Sequence, residues 1–262
     1  MKGNSMEKIT LDAIRAQMNA LPGHVGMYYK NLVTGYEYSV RGEETYLAAS
    51  VIKFPLYMHV RAQAEAGAWK MSDRLTVTDA DKVPSCGALN MFTGSVEADL
   101  ATLCRLMICI SDNTATNRLI NFCTMQGVED GFAALGLEKT RIRRLLFDRE
   151  ASARGIQNTI CPQEMGMLLE KLYRGEFVSA DVSAEILDTL KKQQIEHKLD
   201  GKLCGEVPIA HKTGEDDRLS NDVGIVYAPQ PFILCFAGHD TDVYAWEDLI
   251  RNAAYDLVHC QK

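Results

Sequence analysis

The chain has 262 residues, with 28 lysines and arginines against 35 aspartates and glutamates, a net charge of −7 and 47% hydrophobic residues. That length supports one large domain or two interleaved lobes with a sizeable core. The acidic balance argues against nucleic acid as a partner, because such surfaces are basic, and no stretch approaches a membrane span, Arg105 interrupting the longest apolar run.

Residues 1–21 read as an amphipathic helix with Leu11, Ile14, Met18 and Leu21 on one face. They lack the basic-then-apolar layout of a secretory signal. The expectation is a cytoplasmic protein, or an exported one whose signal has been removed. After Pro22-Gly23, Val25, Met27 and Tyr29 alternate, Asn31 to Gly35 turns, and Tyr36, Tyr38 and Val40 alternate again, which predicts a β-hairpin. Residues Ser50 to Tyr173 then read mostly as helices. One runs from Ser50 to Ala66 before Gly67, others near Val96 to Cys109 and Thr114 to Met125, and one from Pro162 to Tyr173, where proline suits a first turn. A further helix carries Val182, Ile186, Leu187 and Leu190.

Strands return at Val207 to Thr213, Asp222 to Tyr227 and Phe232 to Ala237. A closing helix holds Val243, Trp246, Leu249, Ile250 and Leu257 at helical spacing. Two strands at the start and three at the end predict an α+β fold: a five-stranded antiparallel sheet built from both chain ends, with flanking helices and an inserted all-α lobe. The α/β lobe falls at about residues 1–48 and 205–262 and the helical lobe at about 49–204. Ligand sites favour such junctions. The eight cysteines are scattered through apolar segments, as buried reduced thiols are. No CxxC, HxH or HExxH pattern occurs, so neither metal nor cofactor is expected.

Three short motifs carry the chemistry: Ser50-Val51-Ile52-Lys53, Ser111-Asp112-Asn113 and Lys212-Thr213-Gly214. An S-x-x-K alone is uninformative, since average residue usage gives roughly one per chain of this length, and a second copy stands at Ser5-Met6-Glu7-Lys8. The three in order are specific. Leu106 to Ile110 leads into S-D-N and Thr114 to Ile120 follows it, with Gly87-Ala88-Leu89 upstream and Asn221-Asp222-Val223-Gly224 after K-T-G. Over nearly its whole length the chain resembles the class A β-lactamases and the wider penicillin-binding serine acyl-transferases, which combine S-x-x-K, S-D-N and K-T-G.

A serine needs a base to become nucleophilic. Lys53, three residues along a helix from Ser50, would lie on the same face. It is a base only when neutral, a form that burial and a second cation favour; the resemblance makes Lys212 that cation. The resemblance further implies that Ser50 is acylated, that Ser111 passes a proton to the leaving nitrogen, and that Asn113 binds a substrate amide and Lys53. Backbone N–H groups of Ser50 and Glu215 would form the oxyanion hole. Lys212 and Thr213 would hold the substrate carboxylate, with Gly214 allowing close approach to the strand edge. Asp112 reads as a loop-holding residue, and His211 as structural.

One departure stands out. Class A β-lactamases carry E-x-x-L-N on a loop, whose glutamate activates the deacylating water. Here Thr140 to Glu150 places Leu146 at that position, and Asn158-Thr159-Ile160-Cys161-Pro162 resembles the loop's D-T-T-x-P ending. Asp148 and Glu150 are the remaining candidate bases, or else loop charges paired with Arg144, Arg149 or Arg154. The resemblance therefore implies a serine hydrolase acylated by β-lactams, with slow deacylation. The alternatives are a D-Ala-D-Ala carboxypeptidase or transpeptidase, a sensor acylated once, and a small-acyl esterase. In each case the partner is a small molecule, a β-lactam or a D-alanyl peptide in the first three.

Overall fold

The structure, a computed structural model, describes residues 5–261. The first helix, α1, is Ser5–Ala20; the remainder of the expected 1–21 helix at its start, residues 1–4, lies outside the described residues. The second S-x-x-K copy opens α1, with Ser5 and Lys8 both exposed. The hairpin follows as β1 (His24–Asn31) and β2 (Glu37–Val40). Late strands β7 (Ile209–Asp216), β8 (Leu219–Val226) and β9 (Phe232–His239) join it in one antiparallel sheet of order β2-β1-β9-β8-β7, with β7 at an edge. Five strands from both chain ends thus make the sheet that sequence patterning implies.

The late strands read as continuous apolar runs because the sheet is covered on both faces. Along β9, Phe232, Leu234 and Phe236 enter a core with Leu11, Ile14 and Met18 of α1 and Trp246, Ile250 and Leu257 of the closing helix α9 (Val243–His259). The alternate residues Ile233, Cys235 and Ala237 enter a second core with the helical middle of the chain. Period-two alternation therefore feeds two cores from one strand.

That helical middle holds α2 (Lys53–Glu65), α3 (Leu100–Cys109), α4 (Asn113–Cys123), α5 (Met125–Ala134), α6 (Arg149–Ala153), α7 (Pro162–Tyr173) and α8 (Ala180–Leu190). It also holds β3 (Tyr46–Leu47) paired with β6 (Thr159–Ile160), and a small hairpin of β4 (Arg74–Val77) with β5 (Val96–Asp99). Three expected helices are corrected. The 50–66 helix starts as a 3-10 turn, Ala49–Ile52, and becomes α-helical only at Lys53, where Pro55 occupies the first turn. Val96 to Asp99 is strand, because Asp99 caps α3 through the Thr102 N–H at 2.7 Å and sets its start. The Thr114–Met125 helix ends at Cys123, where Thr124 takes φ +62° and caps α5 through the Gly127 N–H. Among the described residues no helix is long and apolar enough to cross a membrane, and all eight cysteines are free.

Candidate active site

A cleft of about 550 Å³ opens between the edge strand β7 and the helical middle. Ser50, Ser111, Asn113, Thr213, Gly214 and Glu215 all line it, so residues from three distant motifs converge there. Ser50 lies on the 3-10 turn, whose threefold period carries Lys53, the residue at its end, round to the Ser50 side. Its neighbour Ala49 has φ +41° and Ser111 has φ +56°. Non-glycine residues rarely hold such values, and they persist where the surroundings over-determine them.

The surroundings do so here. Asn221 of β8 donates its amide to the carbonyls of Leu47 and Ala48, at 2.9 and 3.1 Å, just before the Ser50 turn. Gly214 packs against the same turn. A Cβ built on it would stand 3.0 Å from Ala48 O, Ser50 N and Val51 N. The missing side chain lets the chain's own Ser50 turn close on β7, where the expectation was that it clears room for substrate. Asp112 accepts three backbone N–H groups, from Ala88 and Leu89 at 2.7 and 2.9 Å and from Ala115 at 2.8 Å. It thereby caps α4 and ties down the 87–89 loop, where Gly87 (φ +122°) leaves no room for a side chain beside the carboxylate.

Lys53 is fully buried. Its Nζ donates to Ser111 O and Asn113 Oδ1, both at 2.7 Å, and contacts Ser111 Oγ at 2.9 Å. Burial and the Lys212 cation push its pKa well below the ordinary lysine value. A neutral amine has two N–H donors and a lone pair; the two carbonyl-type oxygens take the donors and leave the lone pair for a hydroxyl proton. Lys212 is also fully buried, donating to Thr213 O at 2.9 Å and Ser111 Oγ at 3.2 Å. Burial and the cation of Lys198 lower its pKa to about 7. The Ser111 hydroxyl thus bridges the two amines. Neither lysine faces the cleft; Thr213 and Ser111 do, and Lys212 supplies charge behind them.

The opposite wall contains Arg144, Leu146, Phe147, Asp148, Arg149, Ser152, Gln157 and Asn158. Asn117 of α4 holds Leu146 by both backbone atoms, accepting from its N–H at 2.9 Å and donating to its carbonyl at 3.0 Å. Asn158 holds the loop likewise, accepting from Arg143 N and Arg144 N and donating to Arg144 O. The Asp148 carboxylate caps α6, accepting from the Ala151 N–H at 2.9 Å. Glu150 is exposed and outside the cleft lining, so the structure does not bring it to the site. The expected ion pairs of Asp148 or Glu150 with Arg144, Arg149 or Arg154 are absent among the described residues, because Asp148 serves as a cap and Arg144 bonds Gln157 and Leu145 O.

His211, read as structural, pairs with the buried Asp222 carboxylate at 2.9 Å. Burial alone would raise that carboxylate's pKa, but His211, Lys198 and the Leu199 N–H together hold it below the ordinary value. Sequence reasoning missed three supports: Asn117, Asn221 and Lys198. Asn117 and Asn221 lay in flanks that resembled the family, but spacing gave them no role, and nothing flagged Lys198. Among the described residues one group offers metal-type ligands, His197, Glu215 and Glu247, which no sequence pattern marked. Lys198 stands 2.9 Å from Glu215 and Arg251 3.8 Å from Glu247, so cations already neutralise these carboxylates.

The model of the β-lactamase enzyme family matches residues 10–259. A β-lactamase of Rhodobacter capsulatus is 27% identical over 253 residues, covering 94% of this chain and 83% of its own length. Among solved structures, a β-lactamase from Sphaerobacter thermophilus has a TM-score of 0.84 at 26% identity, covering 97% of this chain and 96% of its own. PBP-A has a TM-score of 0.87 at 27% identity, with the same coverage. A leucine-to-glutamate mutant of PBP-A, solved as an acyl-enzyme complex with penicillin G, superposes equally well at 26% identity.

Proposed function

The chain belongs to the β-lactamase enzyme family and is a hydrolase of that type, and we propose that it is acylated at Ser50 by β-lactams or D-alanyl peptides and releases the acyl group slowly. The observation that carries the acylation half is the buried Lys53 amine, three residues on from Ser50, which touches Ser111 Oγ at 2.9 Å and whose pKa burial and Lys212 push well below the ordinary lysine value. In the forward step Ser50 Oγ bonds to the substrate carbonyl and its proton passes to Lys53. The developing oxyanion is received by the Ser50 and Glu215 N–H groups. Ser111 then delivers a proton to the leaving nitrogen as the C–N bond breaks, and Lys53 replaces it. Thr213 and Ser111, backed by the Lys212 charge, receive the substrate carboxylate, and Asn113 a substrate amide.

The slow half rests on Leu146. Deacylation needs a base within hydrogen-bond reach of the attacking water, the part a loop carboxylate plays in class A β-lactamases. Leu146 supplies none, and Asp148 is engaged as a helix cap. This favours as second reading a penicillin-binding peptidase or transpeptidase, a view strengthened by the likeness to PBP-A. Intact-mass measurement after mixing with penicillin G tests both halves. The expected result is one penicilloyl adduct on Ser50 that decays over many minutes. No adduct would overturn the acylation half; decay within the mixing time would overturn the slow half.

A further inference from the structure

We propose that Lys198 is a positioning residue for the oxyanion-binding peptide, acting from the side of β7 away from the substrate; this rests on the acylation reading above. Lys198 lies in the turn-rich segment between α8 and β7 and is fully buried. Its backbone is pinned on both sides: Arg251 donates to His197 O at 2.9 Å, and Leu199 N donates to the Asp222 carboxylate at 3.1 Å. Its Nζ reaches three acceptors, Gly214 O at 3.3 Å, Asn221 O at 3.2 Å and Glu215 Oε1 at 2.9 Å. Three acceptors match the three N–H donors of an ammonium, so Lys198 sits there as a cation.

The Gly214 carbonyl and the Glu215 N–H belong to one planar trans peptide and point in opposite directions. A cation held on the carbonyl fixes that plane and polarises it, which makes the N–H at its far side a stronger donor. One Nζ reaches both the Gly214 carbonyl and the carbonyl of Asn221, its partner on β8, so the Gly214 carbonyl points to the inner side of the edge strand. The Glu215 N–H therefore faces outward, toward the cleft that Glu215 and Ser50 both line. Lys198 thus works on the reacting carbonyl through one peptide unit, without touching substrate.

The same cation acts on Lys212. The groups facing Lys212 are Lys53 from α2, Lys198 from the 191–208 segment, Asp222 from β8, Cys86 from the loop between β4 and β5, Cys109 from the end of α3, and Glu215 from its own strand. Lys198 opposes the Lys212 charge, while the carboxylate of Glu215 favours it. Two substitutions on one ion pair should therefore move the alkaline limit of acylation in opposite directions. A purely structural ion pair would lower thermal stability in both variants and move neither limit.

The experiment measures penicillin acylation of the full chain by stopped-flow or quenched intact mass between pH 5 and 9. It compares the parent with Lys198→Met, Lys198→Arg and Glu215→Gln. Lys198→Met should slow acylation at the plateau about tenfold, part of the hundredfold or more expected for losing an oxyanion donor outright. It should also move the alkaline limit up. Glu215→Gln keeps the backbone N–H and should move that limit down. Lys198→Arg should restore the parental limit. If Lys198→Met does not fold, Lys198→Gln, which keeps donors for the carbonyls but not the charge, takes its place, and an unchanged plateau in it overturns the role of Lys198. Parent acylation with unchanged plateau and limits in the folded variants would overturn the role of Lys198 alone, whereas no adduct on the parent would overturn the acylation reading and this inference together.

Discussion

The two walls of the cleft differ in what their polar groups are bonded to. On the β7 side, Lys53 and Lys212 hold opposite sides of one hydroxyl, Ser111 Oγ, at 2.9 and 3.2 Å. Buried like charges disfavour each other's protonated forms, which keeps one amine ready to take a proton. On the other side, Asn117, Asn158 and Asp148 all bond backbone atoms of their own loop and helix. One wall aims amines and hydroxyls at one another, as the proposed proton transfers require; the other holds a loop in place with a leucine at its cleft face. Polar side chains at a cleft are thus no measure of chemistry there. What matters is whether their donors and acceptors face the reacting atoms or the chain.

The strongest way to break this comparison is to disarm the first wall. Ser50→Ala should abolish the penicilloyl adduct. Lys53→Ala should slow its formation by roughly a hundredfold to ten-thousandfold, the scale of losing a positioned base. Near-parental acylation in Lys53→Ala would give the base role to another group. Arming the second wall is the converse. Leu146→Glu places a carboxylate on a backbone that Asn117 holds at both ends, and adduct decay should speed up by about a hundredfold. An unchanged decay, with the adduct still forming, would show that this loop does not face the deacylating water.

Much of the first wall was legible in the sequence, because motif order fixes residue types and helical spacing fixes Lys53 under Ser50. The five-stranded sheet was legible because strands covered on both faces stay apolar throughout, as Phe232 to Ala237 do. What was not legible is contact between distant segments. Neither the small strand Val96–Asp99 nor its partner Arg74–Val77 has enough alternation to stand out from adjoining helix. The burial of Lys212 depends on how Thr213 and Ser111 close over it. Lys198 becomes informative only once folding brings it beneath Gly214, and Asp148 only once α6 starts after it.

The next effect is smaller and depends on pH. Lys212 is charged below about pH 7 and neutral above it, so carboxylate recognition should fade as pH rises through 7. Lys53, with its pKa lowered well below the ordinary value, must be neutral to act. Its protonation sets the acid limit. Acylation by a carboxylate-bearing penicillin should therefore rise and then fall with pH, dropping up to about tenfold per unit past the alkaline limit. The methyl ester of the same penicillin should lose the fall but keep the rise. An alkaline fall retained with the ester would detach it from the carboxylate.

The smallest expected effect concerns Asp148, and it sharpens the contrast from the second wall. As a cap, its oxygen satisfies the Ala151 N–H at the start of α6; as a base, the same carboxylate would take a proton from water. Asparagine caps a helix about as well as aspartate, whereas alanine cannot, at a cost of about 0.5–2 kcal/mol. A base fails equally as asparagine or alanine. Asp148→Asn should then leave both adduct decay and thermal stability near parental values, while Asp148→Ala lowers stability with little change in decay. If decay instead collapses in both variants while Asp148→Asn keeps its stability, the second wall carries a base after all. The cap would then be only the resting position of a catalytic carboxylate.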